Sequence, residues 1–396
     1  MMSFENTEIA FKNKSNNDLK KAYWLFKIVA NPKLVHFGKT ATNIALKFKL
    51  PIDGLIKKTI FKQFCGGENI KECEKVTKSM ANYGVKTILD YSVEGKTSEE
   101  DFDATVNEII STIEAGKKDE NIPFAVFKVT GIARFGILEA ANDGVDNLSA
   151  IEKKELESVT NRVERICKKA FENDQPVFID AEETWIQNTV DTISTEMMEK
   201  YNQKKAIVFN TAQMYRHDRL VYLEKEINLA KSGAYYYGVK LVRGAYMEKE
   251  RERAVKMNYP SPIQPDKAST DRDFNLALEL ITNNIDTVSL CAGTHNEESS
   301  IYLTKLMDNN NIENNDHHIY FAQLLGMSDH ISYNLAHHQF NVAKYVPYGP
   351  IKEVLPYLLR RADENTSVAG QTSRELGLIE KEKNRRKKKI SNPLEK

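Results

Sequence analysis

The chain has no excess of either charge: 56 lysines and arginines are balanced by 56 aspartates and glutamates over 396 residues. Nucleic-acid proteins ordinarily carry a basic excess, so that class is set aside. Cysteine is scarce, at positions 65, 73, 167 and 291. None forms a CxxC pair or stands at zinc spacing from a histidine. Free buried thiols in a reducing compartment are the plainer reading, with disulfides as the alternative. No apolar run approaches the roughly 20 residues needed to span a bilayer. The opening stretch MMSFENTEIAFKNKSNNDLKK lacks a signal-peptide core and holds Glu5 and Glu8 but no arginine, unlike a transit peptide. A cytosolic protein is expected. No GxGxxG follows an early strand, which weighs against a dinucleotide-binding open sheet.

What is present is a regular alternation. About two-fifths of the residues are hydrophobic (41%), enough for a large core. Residues 1–85 follow helical spacing and show no visible chemistry, so they are expected to form a helical arm. From about 86, short apolar runs alternate with helix-length amphipathic segments. The expected strands are 86–92, 124–130, 176–182, 206–213, 238–246, 287–295, 319–327 and 341–349. Eight β–α units point to a closed (β/α)8 barrel of the TIM type over 86–378, with an open doubly wound sheet as the competing architecture. Residues 379–396 read as a basic tail. Its NRRKKK run (384–389) is either a solvated end or a contact for an anionic membrane surface.

Active sites of such barrels lie at the C-terminal ends of the strands. The polar residues falling there are Asp90, Lys128, Asp180, Gln213, Lys240 with Arg243, Thr294-His295-Asn296, Gln323 and Tyr345. Singly each has a bland explanation: Asp180 as a helix cap, His295 as a structural histidine. Together they suit a ligand pocket. Asp180, Glu182, Glu183 and His295 could bind a cation, but no His-x-His or HExxH accompanies them, so no metal site is expected. The cationic lining favours an anion. KLVRGAYMEKE (240–250) offers a glycine turn flanked by basic side chains, suited to phosphate. YLLRRADEN (357–365) sets Tyr357, Arg360, Arg361 and Glu364 along a helix. That is either i,i+4 surface pairing or a guanidinium clamp for a carboxylate.

These stretches, KLVRGAY, IDAEE, AGTHN, YVPYG and YLLRRADEN, occur in the order and spacing of the proline dehydrogenases. The chain resembles a monofunctional member of that family over roughly residues 86–375. The resemblance implies a (β/α)8 barrel holding FAD non-covalently and oxidising L-proline to Δ1-pyrroline-5-carboxylate, the first step of proline catabolism to glutamate. Electrons would pass to a membrane quinone, with the protein cytoplasmic or peripheral to the inner membrane. The next pathway enzyme, pyrroline-5-carboxylate dehydrogenase, would be a separate chain.

The resemblance also implies residue roles. Arg360, Arg361 and Lys128 would hold the substrate carboxylate, and Tyr246, Leu324, Tyr345 and Tyr357 would wall the pyrrolidine ring. Asp180 and Lys240 would be essential to catalysis, with Asp180 organising the basic groups. Glu364 would orient the arginine pair, and Glu94 would pair with Arg360 to gate the pocket. Ala181, Gln213, Tyr215, Lys240, Val242, Arg243, Gly244, Thr294, His295 and Asn296 would contact FAD. Many bacterial members read Arg-Leu-Val-Lys where this chain has Lys240-Leu241-Val242-Arg243, which puts flavin tuning, not activity, in question. A tyrosine at 345 would exclude the hydroxyl of hydroxyproline. Three other readings stay open on the residues alone: a hydroxyproline or other cyclic imino-acid oxidase, a Schiff-base aldolase using Lys128, and a non-enzymatic barrel.

Overall fold

Alternating apolar runs do pair as strands. In the computed structural model, β1 (Val85–Tyr91), β2 (Phe124–Lys128), β3 (Val177–Asp180), β4 (Val208–Gln213), β5 (Tyr237–Val242), β6 (Val288–Gly293), β7 (Ile319–Leu324) and β8 (Val342–Tyr348) run parallel in chain order. β8 pairs back onto β1 and closes the barrel, so the open sheet is excluded. The structure describes residues 2–31, 33–36, 38, 40, 53–93, 95–367 and 371–391, by backbone alone at 53, 55, 362–367, 371 and 390.

The helices are α1 (Thr7–Ala10), α2 (Asn16–Val29), α3 (Ile70–Ala81), α4 (Glu99–Lys118), α5 (Phe135–Asn142), α6 (Ala150–Glu172) and α7 (Thr184–Tyr201). They continue as α8 (Arg219–Gly233), α9 (Met247–Met257), α10 (Lys267–Thr282), α11 (Glu297–Asn309), α12 (Asp329–His337), α13 (Ile351–Ser367) and α14 (Gln371–Ser391). Three short helical turns (Asp53–Ile56, Lys57–Phe61 and Lys62–Phe64) precede α3. Their starts follow capping chemistry: Ser15 and Asp18 form a reciprocal capping box at α2, as Ser149 and Glu152 do at α6.

Side-chain alternation divides each strand. Ile88, Phe124, Val126, Phe178, Phe209 and Tyr345 fill the barrel interior, while Leu89, Ala125, Phe127 and Ile179 join the layer between barrel and helices. Phe124 stacks on Phe178 at 4.4 Å between ring centroids, and Phe209 and Tyr320 meet Phe124 edge-on at 5.6 and 4.8 Å. Aromatic pairs of this geometry are worth about 0.5–1.5 kcal/mol each beyond their burial. They make a solid floor beneath the C-terminal layer.

The N-terminal region is helical where described, and it packs on the C-terminal helices. Phe11, Leu19 and Phe26 bury against Leu378 and Ile379 of α14. Ile56, Phe61 and Phe64 bury against Val354 and Leu358 of α13. The chain from 379 differs from the expected tail. Residues up to Ser391 continue α14, because the apolar pair Leu378–Ile379 docks on the arm. Opposite charges answer the basic run: Arg385 pairs with Glu382 and Glu8, and Arg386 with Glu382. Among the described residues no helix is long and apolar enough to cross a membrane.

Candidate active site

The inward rows of β1, β2, β3 and β5 end in charge. Asp90 continues the row of Ile88, Lys128 that of Val126, and Asp180 that of Phe178. Lys240 is buried, and its ammonium donates to the Asp180 carboxylate and, at 2.7 Å, to the Tyr345 hydroxyl. Three strands are thereby tied across the barrel mouth by one lysine. Asp90 accepts from the Ser92 hydroxyl at 2.6 Å. Burial pushes its carboxyl above the usual range, partly opposed by that bond and by Lys128.

Lys128 has no hydrogen-bond or ion-pair partner among the described residues. Its ammonium is nevertheless held charged, above its ordinary range. The Tyr246 phenol is the main cause, with Glu182 and Asp90 adding to it, against burial and the Arg360 guanidinium. Tyr246, Glu182, Asp90 and Arg360 thus all lie within electrostatic reach of Lys128. Glu182 is itself pinned by the Thr130 hydroxyl at 2.7 and 2.9 Å, and burial raises its pKa.

Helix α13 lies over this mouth. Tyr357 is buried, and Arg361, one turn later, stands 5.3 Å over its ring. Burial pushes the Tyr357 phenol up to about 12. Arg360 is exposed on the adjoining face yet within electrostatic reach of Lys128 and Tyr246. Leu324 packs between the α13 cluster and the barrel interior. The side chain of Glu364 and all of Glu94 lie outside the described residues.

The other side of the mouth is built from β4, β5 and β6. Arg243 donates to Asp271 at 2.7 Å, Thr294 at 2.6 Å and Ser299 at 2.9 Å. Burial lowers its pKa, opposed by Asp271. Asn296 caps α11 through Ser299 N–H at 2.8 Å, and its own N–H donates to Thr294 Oγ1. His295 rests its Nδ1 2.9 Å from the Ser328 hydroxyl. Burial first, then Arg361 and Lys344, pushes it down to about 3, so it is neutral at working pH. Gln213 donates to the Glu182 carbonyl at 2.6 Å. Ala181 and Val242 are half-buried at their strand ends. Tyr215 is buried, with its backbone N–H on the Arg243 carbonyl at 2.7 Å.

Gly244 shows why glycine ends this strand. Its φ is +127°, and a Cβ there would sit 2.5 Å from the Tyr215 ring. Gly244→Ala should cost about 1–3 kcal/mol from backbone strain alone. It should also displace Tyr215. A thermal midpoint equal to that of the parent protein would contradict this.

The donor set fits a dinucleotide cofactor. Two cations, Lys240 and Arg243, end β5, a bare backbone follows at Gly244, and hydroxyl and amide groups line the start of α11. Several supports carried no sequence signal: Asp271 and Ser299 for Arg243, Thr130 for Glu182, and Ser328 for His295. Each comes from a distant segment. Only Ser92, two residues after Asp90, lay within local reading distance.

Residues 73–374 match the model of the proline dehydrogenase family. The chain belongs to that family. It is thus an oxidoreductase acting on proline. Proline dehydrogenase 1, mitochondrial, of Dictyostelium discoideum is 31% identical over 96% of this chain and 74% of its own length. A hydroxyproline dehydrogenase of Xenopus laevis is 28% identical over 95% of this chain and 88% of its own. The barrel also superposes on proline utilization A from Bdellovibrio bacteriovorus, in a crystal structure of the protein inactivated by N-propargylglycine. The TM-score is 0.72 at 20% identity, covering 91% of this chain and 38% of that longer one. That likeness carries the fold.

Proposed function

We propose that the chain oxidises L-proline to Δ1-pyrroline-5-carboxylate, with FAD as hydride acceptor and a quinone as onward oxidant. A separate pyrroline-5-carboxylate dehydrogenase would consume the product. The observation that carries the substrate reading is Lys128: a half-buried ammonium at the end of β2, held in its charged form, whose donors no described side chain takes up. A small anion satisfies it. Arg360 and Arg361 on α13 supply the remaining charge for a carboxylate.

Bound FAD supplies the electron-accepting chemistry. Lys240, Val242, Arg243 and Gly244 would hold it with Gln213, Tyr215, Ala181, Thr294, His295 and Asn296. The chain's own side chains do the positioning. The carboxylate clamp fixes one end of the proline ring, while Tyr246, Leu324, Tyr345 and Tyr357 fix its faces, so much of the acceleration is orientation. Clustered cations disfavour the ring ammonium and favour the amine form from which a hydride can leave. Asp180 holds Lys240, and through it Tyr345, in register.

The relative acting on hydroxyproline makes that substrate the second reading. Tyr345 favours proline. Its ring is buried and its hydroxyl is tethered to Lys240, so it cannot swing aside to admit an extra oxygen. Tyr345→Ser should raise the hydroxyproline-to-proline ratio of kcat/KM by about 10- to 100-fold. An unchanged ratio would remove Tyr345 as the selector.

The direct experiment is spectroscopic. Purified protein should be yellow, or become so on adding FAD, and L-proline without oxygen should bleach it. A protein that stays colourless with FAD would end the flavin reading. Bleaching by hydroxyproline but not proline would replace the substrate.

A further inference from the structure

Three consecutive residues after β7 each reach a different part of the chain. Ser328 places its hydroxyl 2.9 Å from His295 Nδ1, and its backbone N–H donates to the Glu375 carboxylate on α14. Asp329 accepts from Lys344 of β8 at 2.6 Å and pairs with Lys14 of the N-terminal arm at 3.0 Å. His330 Nε2 lies 3.0 Å from Glu297 Oε1, which also accepts from Arg374 of α14 at 2.8 Å. Glu297 directly follows Asn296. Helix α14 is therefore linked to the Thr294-His295-Asn296 stretch by two routes, Glu375 through Ser328 to His295 and Arg374 to Glu297, the next residue in the chain.

The junction is sealed: Ser328 is 0%, His330 2%, Glu375 3% and Asp329 6% exposed. Ser328 has a left-handed backbone, φ +50°, which a non-glycine residue adopts only where surrounding contacts hold it. The Glu375 carboxylate on its N–H is such a contact. The family model matches up to residue 374, the residue before Glu375.

We propose that Glu375 is a positioning residue for the cofactor site: by fixing the Ser328 turn it sets the rotation of the His295 ring, making α14 a structural part of the flavin pocket. This rests on the FAD reading above. The neutral imidazole has its Nδ1 engaged by Ser328, so a tilted turn would also re-aim Nε2.

The test is reconstitution of apoprotein with FAD, followed by flavin fluorescence quenching, for Glu375→Ala, Glu375→Gln, Ser328→Gly and the Ala/Gly double variant. Ser328→Gly keeps the left-handed backbone and removes the hydroxyl. Glu375→Ala and Ser328→Gly are each expected to weaken FAD binding by about 10- to 100-fold, the usual scale for losing a supporting shell. Glu375→Gln, which keeps an acceptor for the Ser328 N–H, should stay within about threefold of the parent. The double variant should bind FAD no more weakly than the weaker single one, because both act on one path. Parent-like binding by Glu375→Ala, or losses that multiply in the double variant, would overturn the link. If Glu375→Ala does not fold, parent-like binding by Ser328→Gly overturns it equally. Failure of the parent apoprotein to take up FAD would sink the flavin reading itself, and this inference with it.

Discussion

Arg361→Met is expected to raise the proline KM by about two orders of magnitude while FAD stays bound. The guanidinium lies over the Tyr357 ring, with Lys128 and Arg360 as its fellow cations at the mouth. Truncating one partner of a desolvated charge pair costs on the order of 2–5 kcal/mol, and 1.4 kcal/mol is tenfold. Methionine keeps the helix and much of the side-chain volume. The loss should therefore appear in substrate affinity and not in folding or flavin content. Steady-state kinetics beside a visible spectrum separate the two. Near-normal proline kinetics would return the arginine pair to the surface-pairing alternative.

The second large effect is expected at Asp180. Its carboxylate neutralises the buried Lys240 ammonium, whose side chain is 5% exposed. Asp180→Asn leaves that charge with an amide and the Tyr345 hydroxyl. Breaking a buried pair from one side costs about 3–5 kcal/mol. Asparagine retains one acceptor and Asp180 is partly open, so the lower part of that range applies here. We expect kcat/KM for proline to fall about 100-fold or more, with a lowered thermal midpoint. Lys240→Met in the Asp180→Asn background should recover stability but not activity. If the double variant is as unstable as Asp180→Asn alone, the uncompensated charge is not the cause.

The eight strands were legible because each is a short apolar run, buried on both faces and followed by a helix-length amphipathic segment, but their C-terminal ends were read too long. β3 stops at Asp180 and β5 at Val242, where the expected runs continued to 182 and 246. At those points the backbone leaves the ladder to present Ala181, Glu182 and Gly244, so the misjudged ends coincide with the site. Lys128, Asp180, Lys240 and Tyr345 were found from strand position, and they do converge. Lys344 shows the same alternation working the other way. Next to Tyr345 in sequence, it points outward and serves Asp329 and the carbonyl of Met327. The Ser328, Glu375 and Lys14 junction had no local pattern to betray it, because its partners meet only once the barrel has closed and brought the chain ends together. The final helix is half-legible: Glu382 lies three and four residues before Arg385 and Arg386, but the partner Glu8 comes from the other end of the chain.

The aromatic floor has a consequence for traffic. With Phe124, Phe178, Phe209 and Tyr320 packed against one another inside the barrel, its interior is closed beneath the C-terminal layer. Whatever enters from the α13 side leaves by the same door, and nothing drains through the bottom. On the proposed reading, release of the oxidised ring would have to precede the arrival of the next molecule, and α13, which carries Arg360 and Arg361, would then stand at the exit as well as at the entrance.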